Sequence, residues 1–359
     1  EEEEAGGPGW REPQNFMRPD RRGRPIAPRE QGLRRNWMTP FLLSPHNPKI
    51  LYWGAQKVFR SLNRGDSWQA ISDDLTTNNA EKIRGNVPHC TITTIDESPI
   101  EAGVIWVGTD DGNVWVTPDG GHTWNQVNQN IPGAPKEWWV SRVVASPHDV
   151  NTAFVAYTGF REDDFTPFLF KTTDMGKTWT SIVGNLANEQ IAVIRQDAIN
   201  PNLLILGTER ACYASLDGGV EWVRLTNGLP TAPVQDLVIH PRESDLILGT
   251  HGRGVFIADI TPLRKLTPEV LQKDAYLFQP NRTLAHDFIA DMFDAFQGHG
   301  RWTAPNPEFG AVIWYYLKSP QESVTVQILD ATGQVIRELR ADGDAGLNRV
   351  VWPLNRQGA

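Results

Sequence analysis

The sequence predicts an all-β protein whose larger part is a β-propeller of four-stranded blades, followed by a partial β-sandwich. Three observations support this prediction: an eight-residue motif that occurs four times, a regular spacing between its copies, and a shared order of apolar runs and turns around each copy. The composition agrees, because 14 Trp and 31 Gly in 359 residues are typical of turn-rich β proteins.

The recurring motif is an octet of the pattern S/T-x-D/N-x-G-x-(S/T/E)-W. Its four copies occupy residues 61–68, 117–124, 172–179 and 215–222. The four closing tryptophans are 43 to 56 residues apart, which is the spacing expected of one propeller blade per repeat. One such turn would be weak evidence, but four copies in phase predict four consecutive blades with hairpins of one kind.

The chemistry of the octet favours a structural role. A small hydroxyl residue ends a strand, Asp or Asn accepts backbone N–H groups a few residues later, Gly supplies a positive φ, and Trp packs beneath the turn. The residues to which we assign this role are Asn63, Gly65, Trp68, Asp119, Gly121, Trp124, Asp174, Gly176, Trp179, Asp217, Gly219 and Trp222.

Five repeats are predicted between residues 38 and 260. Before each octet the order is an alternating run, a turn that contains Pro, an apolar run and a short strand. The fifth repeat, from Val234 to Ala258, has no octet and is interpreted as a terminal blade. The chain offers no spare strand to complete it, which favours a ring closed by chain outside this sequence; a self-contained ring of five blades is the alternative.

The regions outside the repeats differ from them in composition and in the pattern of apolar residues. Residues 1–37 are rich in Pro, Gly, Arg and Glu and are interpreted as a leader or linker, or alternatively as a basic docking arm. Residues 261–309 are expected to form a connector with one short helix capped by Thr267, and then an irregular loop. Residues 310–359, together with a strand at 275–278, supply about five strands, fewer than an immunoglobulin-like or fibronectin-like sandwich requires.

Charge and residue types exclude several classes of function. The net charge is −9 and no cationic face is concentrated in the repeats, which argues against a nucleic-acid partner. No apolar run is long enough for a transmembrane segment, and the chain contains no signal peptide. Cys90 and Cys212 lie in different repeats and are predicted to be buried free thiols. The histidine spacing supports no metal site, and no cofactor is predicted.

Several segments carry a resemblance to a known family. They are residues 36–48, 161–167, 249–254, 267–278 and 346–352. Through them the chain resembles the large bacterial Asp-box proteins, which are also labelled BNR-repeat, sortilin-like or "glycosyl hydrolase" proteins. The resemblance implies the C-terminal part of a propeller and the start of a fibronectin-like or immunoglobulin-like domain. It also implies an extracytoplasmic location, whether periplasmic, cell-surface or secreted, and contact with upstream parts of the same chain.

The first functional hypothesis is a non-catalytic scaffold or recognition module that binds protein subunits or an extracellular glycan. Propellers offer loops on two faces and a central channel for such contacts. The candidate contact residues are Trp138 and Trp139, the loop residues Arg161, Glu162, Asp163, Asp164 and Phe165, and His251 and Arg253 in a tight Gly-rich turn. Packing between blades is the alternative role for these side chains.

The second hypothesis is a glycoside hydrolase, since Asp boxes also occur in such enzymes. Hydrolysis would need two carboxyl groups that face one cleft. Asp96, Asp197 and Asp236 are the inner-strand acids that could serve, but an acid just before a Pro-containing turn is commonly a cap. The Arg-Ile-Pro signature of sialidases is absent. We therefore favour the non-catalytic hypothesis.

Overall fold

The computed structural model describes residues 32–285, 300 and 308–356. The chain divides into two compact units, with the boundary between Asp259 and Ile260. The first unit contains five consecutive antiparallel sheets, and the second contains two smaller ones. The predicted all-β fold class with propeller-type four-stranded sheets is confirmed.

Sheets 1 to 4 have four strands each, paired in chain order. Sheet 1 consists of β1 (Phe41–Leu43), β2 (Leu51–Gly54), β3 (Val58–Ser61) and β4 (Gln69–Ala70). Sheet 2 consists of β5 (Ile92–Glu97), β6 (Ile105–Thr109), β7 (Val114–Thr117) and β8 (Asn125–Gln126). Sheet 3 consists of β9 (Trp139–Ala145), β10 (Ala153–Gly159), β11 (Asp164–Thr172) and β12 (Thr180–Ser181). Sheet 4 consists of β13 (Ile191–Gln196), β14 (Leu204–Thr208), β15 (Cys212–Ser215) and β16 (Val223–Leu225).

Sheet 5 has three strands: β17 (Val234–Ile239), β18 (Asp245–Thr250) and β19 (Val255–Asp259). The strands of the second unit are β20 (Ala275–Leu277), β21 (Ala311–Leu317), β22 (Val324–Leu329), β23 (Val335–Ala341) and β24 (Gly346–Trp352). They form one sheet in the order β20, β21, β24 and a hairpin of β22 with β23. The helices are α1 (Ala80–Ile83), α2 (Thr261–Lys265) and α3 (Pro268–Leu271), and residues Asn128–Asn130 form a 3-10 turn.

The first unit is held together by apolar packing between successive sheets. The first strands of neighbouring sheets lie side by side, so that β5 contacts β9, β9 contacts β13 and β13 contacts β17. One core cluster joins Trp106 of sheet 2 to Val143 and Phe170 of sheet 3. Strands β6 and β14 are buried throughout, which explains why both are continuous apolar runs without alternation.

Antiparallel pairing gives every sheet of the first unit two different ends. The upper face, as we define it, carries the turns between second and third strands and the connectors that lead to the next sheet. The lower face carries the turns after the first strands and the octets. Backbone hydrogen bonds link the elements of each face: Asp110 N donates to Thr91 O at the upper face (3.0 Å), and Gly120 N donates to Gly103 O at the lower face (2.9 Å).

The four octets form one repeated hairpin. In each, the side-chain oxygen of the third residue accepts the N–H of the seventh, as Asp119 does from Thr123 at 2.8 Å and Asp174 does from Thr178 at 2.9 Å. The hydroxyl of the first residue accepts the N–H of the glycine. The positive φ angles of those glycines are 96° at Gly65, 95° at Gly121, 80° at Gly176 and 102° at Gly219.

The octet backbone has a second strained position that the motif did not indicate. The fourth residue also has a left-handed conformation, with φ of 62° at Arg64 and 60° at Met175. Two octets use glycine there and two do not, so the sequence pattern treats this position as free. The hydrogen bonds around it must hold Arg64 and Met175 in a conformation that costs about 1 kcal/mol or more for a residue with a Cβ.

Three expectations about local structure need correction. Asp164 and Phe165 were expected in a loop, but both lie in β11, which pairs with β10 as far as Asp164. The connector contains two short helices, and Thr267 begins the second without a side-chain cap hydrogen bond. The connector between sheets 1 and 2 contains α1, capped by the Asn79 side chain, which the sequence analysis missed.

Two of the predicted regions lie mostly outside the residues that the structure describes. The leader up to residue 31 and most of the irregular loop between residues 286 and 307 lie outside them. Both cysteines are described, and both are buried and free, as predicted.

Candidate functional site

A candidate site at the upper face of the first unit is centred on Arg161, one of the predicted contact residues. Arg161 lies in the turn between β10 and β11, where Glu162 N donates to Gly159 O at 2.9 Å. Its guanidinium stacks on the Trp139 ring, with Cζ 4.5 Å from the ring centroid. Nη2 donates to Pro88 O at 3.2 Å, which ties the turn of sheet 3 to the connector between sheets 1 and 2.

A buried carboxylate completes this arrangement. Asp110, in the turn between β6 and β7, has no exposed side-chain surface, and its Oδ2 lies 3.8 Å from Arg161 Nη1. It accepts hydrogen bonds from Thr91 N at 2.8 Å and Thr91 Oγ1 at 2.9 Å. Burial raises the pKa of Asp110 to about 6, although the Thr91 hydrogen bonds oppose the shift. Arg161 Nη1 is itself buried and makes no hydrogen bond.

His89 lies beside this pair. Its Nδ1 is 3.9 Å from Asp110 Oδ1, and burial, followed by the charge of Arg161, lowers the pKa of His89. The site therefore joins the Trp139 ring, the Arg161 guanidinium stacked on it and the buried Asp110 carboxylate, and Arg161 supplies its positive charge. Asp110 was not among the predicted site residues, because Asp-Asp-Gly between two strands is read as an ordinary turn. His89 was one of the histidines whose spacing supports no metal site.

The other predicted contact residues divide into packed and exposed groups. Trp138 packs edge-on against Phe168 of the same sheet, with ring centroids 5.5 Å apart, and it borders the core cluster that sheets 2 and 3 share. Phe165, at the start of β11, is 45% exposed, and Phe160, in the turn before this strand, is 70% exposed. Trp37, in the segment that leads into sheet 1, is 74% exposed.

The acids of the Arg161 turn and the residues of the fifth sheet stand apart from the stack. Asp163 has a positive φ of 55°. The side chain of Thr166, followed by its backbone N–H, which Asp164 Oδ1 accepts at 2.7 Å, lowers the pKa of Asp164. Burial raises the pKa of Glu162. His251 and Arg253 are exposed in the turn between β18 and β19.

The three inner-strand acids occupy three different environments. Asp197 is fully buried and accepts the N–H groups of Ile199 at 3.0 Å and Asn200 at 2.8 Å, which is the geometry of a turn cap. Asp236 is exposed and forms an ion pair with Arg142 at 3.0 Å. Asp96 accepts Ala145 N at 2.8 Å.

Asp96 and Arg142 belong to a charged cluster along the first strands. Burial raises the pKa of Asp96 to about 6, although Arg195 and Arg142 favour its ionised form. Burial lowers the pKa of Arg142 to about 10, and the charge of Arg195 adds to this shift. Arg142 Nε is buried without a hydrogen bond. Each of the three acids is therefore bound to protein groups, and two of them lie within reach of arginines.

Within the described ranges, no three His, Cys, Asp or Glu side chains lie close enough together to hold a metal ion. Over the same residues, none of the helices has the length and apolarity needed to span a bilayer.

Comparison with known proteins adds a likeness in structure. No protein-family model and no curated protein matches the chain. A GH74 xyloglucanase from Xanthomonas campestris aligns at 19% identity and a TM-score of 0.48, over 61% of this chain and 36% of that one. A GH74 enzyme from Niastella koreensis aligns at 21% identity and the same TM-score, with the same coverage. An ancestral GH74 enzyme aligns at 14% identity, also at 0.48, over 86% of this chain and 38% of its own.

The aligned parts thus span little more than a third of the length of these enzymes. At such identities and TM-scores the likeness transfers no activity to this chain.

Proposed function

We propose that the first unit is a non-catalytic recognition module of an extracytoplasmic protein, and that its upper face binds a protein partner. The observation that supports this proposal best is the group of exposed aromatic side chains beside the rigid Arg161 and Trp139 stack. The extracytoplasmic location rests on the resemblance to Asp-box proteins noted in the sequence.

The chemistry of the upper face suits a protein partner. Phe160, Phe165 and Trp37 lie on elements of this face and expose between 45% and 74% of their surface. Exposed large apolar groups of this kind are typical of interaction sites. Arg161 is held in place by Trp139 and Pro88, so little conformational entropy is lost when a partner packs against its turn. Arginine and aromatic residues are also the types that dominate binding energy in protein interfaces.

The environment of the inner-strand acids favours binding over hydrolysis. A glycosidase needs two carboxyl groups about 5–10 Å apart in an accessible cleft. Asp197 is buried as a turn cap, and Asp236 is neutralised by Arg142. The Asp96 carboxylate accepts a hydrogen bond from Ala145 N of β9, the first strand of the next sheet. The raised pKa of Asp96 would suit a general acid, but the hydrogen bonds and the ion pair of these three acids favour a binding role over hydrolysis.

Site-specific photo-crosslinking in the native host tests the proposal. A photoreactive residue replaces Phe160 on the upper face, and a matched control replaces Leu62, which is 59% exposed on the lower face. We expect one protein, identified by mass spectrometry, to be captured at position 160 and not at position 62. The purified partner should then bind the chain, with at least about tenfold weaker affinity for Arg161→Ala/Phe165→Ala than for Leu62→Ala.

Equal capture at the two positions, or equal affinity of the two variants, would contradict the proposal. So would release of reducing sugar from a polysaccharide that Asp96→Asn and Asp236→Asn each abolish.

A further inference from the structure

The three interfaces between neighbouring sheets, from sheet 1 to sheet 4, differ at their outer edge, where the octets lie. We call this edge the rim. We call the interfaces seam 1 (between sheets 1 and 2), seam 2 (between sheets 2 and 3) and seam 3 (between sheets 3 and 4). In each seam, the residue just after the outer strand packs against the glycine of the next octet. A Cβ built on that glycine would lie 2.9 Å from the nearest side-chain carbon of Ile71 at Gly121, of Val127 at Gly176 and of Ile182 at Gly219.

Seams 2 and 3 are also closed by an asparagine that lies three residues after this contact. In seam 2, Asn130 Nδ2 donates to the octet carbonyl Gly176 O at 2.9 Å. In seam 3, Asn185 accepts Trp222 N at 2.7 Å and donates to Trp222 O at 3.2 Å. The octet tryptophans of both seams are buried, with Trp179 6% and Trp222 4% exposed.

Seam 1 has an aspartate at the same position. Asp74 is held by Arg34 and by Thr76 N at 3.0 Å, and an ionised carboxylate cannot donate a hydrogen bond to an octet carbonyl. Arg60 Nη1 donates at 3.3 Å to a different octet carbonyl, that of the fourth residue Gly120. The octet tryptophan of this seam, Trp124, remains half-buried.

The result is a groove of about 570 Å³ at seam 1. Trp124 Nε1 donates to Ile71 O at 2.9 Å, and Trp115 Nε1 donates to Leu75 O at 2.7 Å. Both indole N–H groups are therefore used by the protein, and what each ring offers to the groove is apolar surface. The same bonds fix the orientation of both rings, so the two half-buried surfaces are preorganised.

Polar groups of both kinds border these rings. Gln69, Asp73 and His122 are exposed at the groove, and Arg60 and Asp74 also line it. Arg60 faces Asp73 and Asp74, and Asp74 is paired with Arg34, so the groove has no strong net charge, which disfavours a highly charged ligand. Fixed apolar ring surface, surrounded by donors and acceptors in a cleft of this size, fits a ligand with apolar faces and a rim of hydroxyl groups.

We propose that the seam 1 groove binds a neutral carbohydrate chain, whose pyranose faces pack on Trp124 and Trp115 while its hydroxyl groups bond to Gln69, Asp73 and His122. This site lies on the rim and is separate from the Arg161 stack of the upper face. Its test can therefore fail while the protein-partner proposal stands, and the reverse is also true.

Isothermal titration of the full chain with cellohexaose, xylohexaose and mannohexaose tests the proposal. We expect at least one of the three sugars to bind, and the variant Asp73→Ala/His122→Ala to bind it at least about tenfold more weakly. Both replaced side chains are exposed, so the variant should fold, which circular dichroism verifies.

Seam 2 supplies the matched control. Gln129 takes the place of Asp73 in its connector, and Lys177 takes the place of His122 in its octet. Gln129→Ala/Lys177→Ala should leave the affinity unchanged within about twofold. The proposal is overturned if none of the three sugars binds, or if the seam 1 and seam 2 variants bind the sugar equally well.

Discussion

Seam 1 and seam 3 are built from the same octet pattern, but their connectors carry an aspartate and an asparagine, respectively, three residues after the contact with the octet glycine. At seam 3, the amide of Asn185 holds both the N–H and the carbonyl of Trp222. At seam 1, the carboxylate of Asp74 bonds to Arg34 instead. In both seams the residue after the outer strand packs against the octet glycine, whereas the side chain three residues later bonds to the octet only at seam 3. Four predictions test the octets and the seams.

The largest effect is expected from crowding a closed seam. Gly176→Ala introduces a Cβ at a positive φ of 80°, 2.9 Å from Val127 carbons. Backbone strain and overpacking together should lower the free energy of unfolding by about 2–4 kcal/mol. Gly65→Ala introduces the backbone strain without the overpacking, because its Cβ would meet only Trp68, at 3.7 Å. It should lower the free energy of unfolding by about 1–2 kcal/mol. Urea unfolding of both variants measures the difference, and equal losses would mean that the octets do not pack sheet against sheet.

The next effect comes from removing the asparagine of a closed seam. Asn185→Ala leaves the partly buried Trp222 N–H and carbonyl without their partner, and should lower the free energy of unfolding by about 1–3 kcal/mol. Asp74→Ala is the matched change at seam 1. It removes an ion pair with Arg34 whose two side chains are only 10% and 25% exposed, so its loss should be of similar size or larger, although no bond to the octet is broken. Thermal unfolding of the two variants side by side compares them. A loss below about 0.5 kcal/mol for Asn185→Ala would contradict the proposed closure of seam 3 by this asparagine.

A smaller effect is expected from acid. The Thr123 hydrogen bonds lower the pKa of Asp119 to about 2, and those of Thr178 do the same for Asp174. A depressed folded-state pKa stabilises the protein above the ordinary value of 3.8, and the stabilisation is lost as the pH falls toward 2. The first octet has Asn63 at this position, which does not titrate.

The double variant Asp119→Asn/Asp174→Asn gives the second and third octets the chemistry of the first. Its unfolding midpoint should therefore change less than that of the unmodified protein between pH 4 and pH 2. Parallel pH profiles for the two proteins would show that the octet carboxylates make no such contribution.

The octets account for most of what could be predicted from the sequence. Their hydrogen bonds depend on residues within eight positions of one another, so Asp119, Gly121 and the strand before them follow from local chemistry. The left-handed conformation of Met175 could not be foreseen, because only the third-residue oxygen and the hydroxyl bond that surround it impose that conformation.

The candidate site could be predicted only in part. Trp139 and Arg161 stand out in the sequence, and they do lie in contact. Asp110, which faces Arg161, comes from a different sheet, and nothing near it in the chain indicates a buried carboxylate. The groove at seam 1 was missed for the same reason, since the role of Asp74 depends on Arg34, which is 40 residues away.

Oxidative footprinting of the octet tryptophans tests the difference between the seams most directly. Brief exposure of the folded chain to hydroxyl radicals, followed by mass spectrometry, gives a modification rate for each tryptophan. We expect Trp124 of seam 1 to be modified several times faster than Trp179 and Trp222, which are 6% and 4% exposed. Equal rates for the three side chains would show that seam 1 is closed like the others, and would remove the basis of the groove.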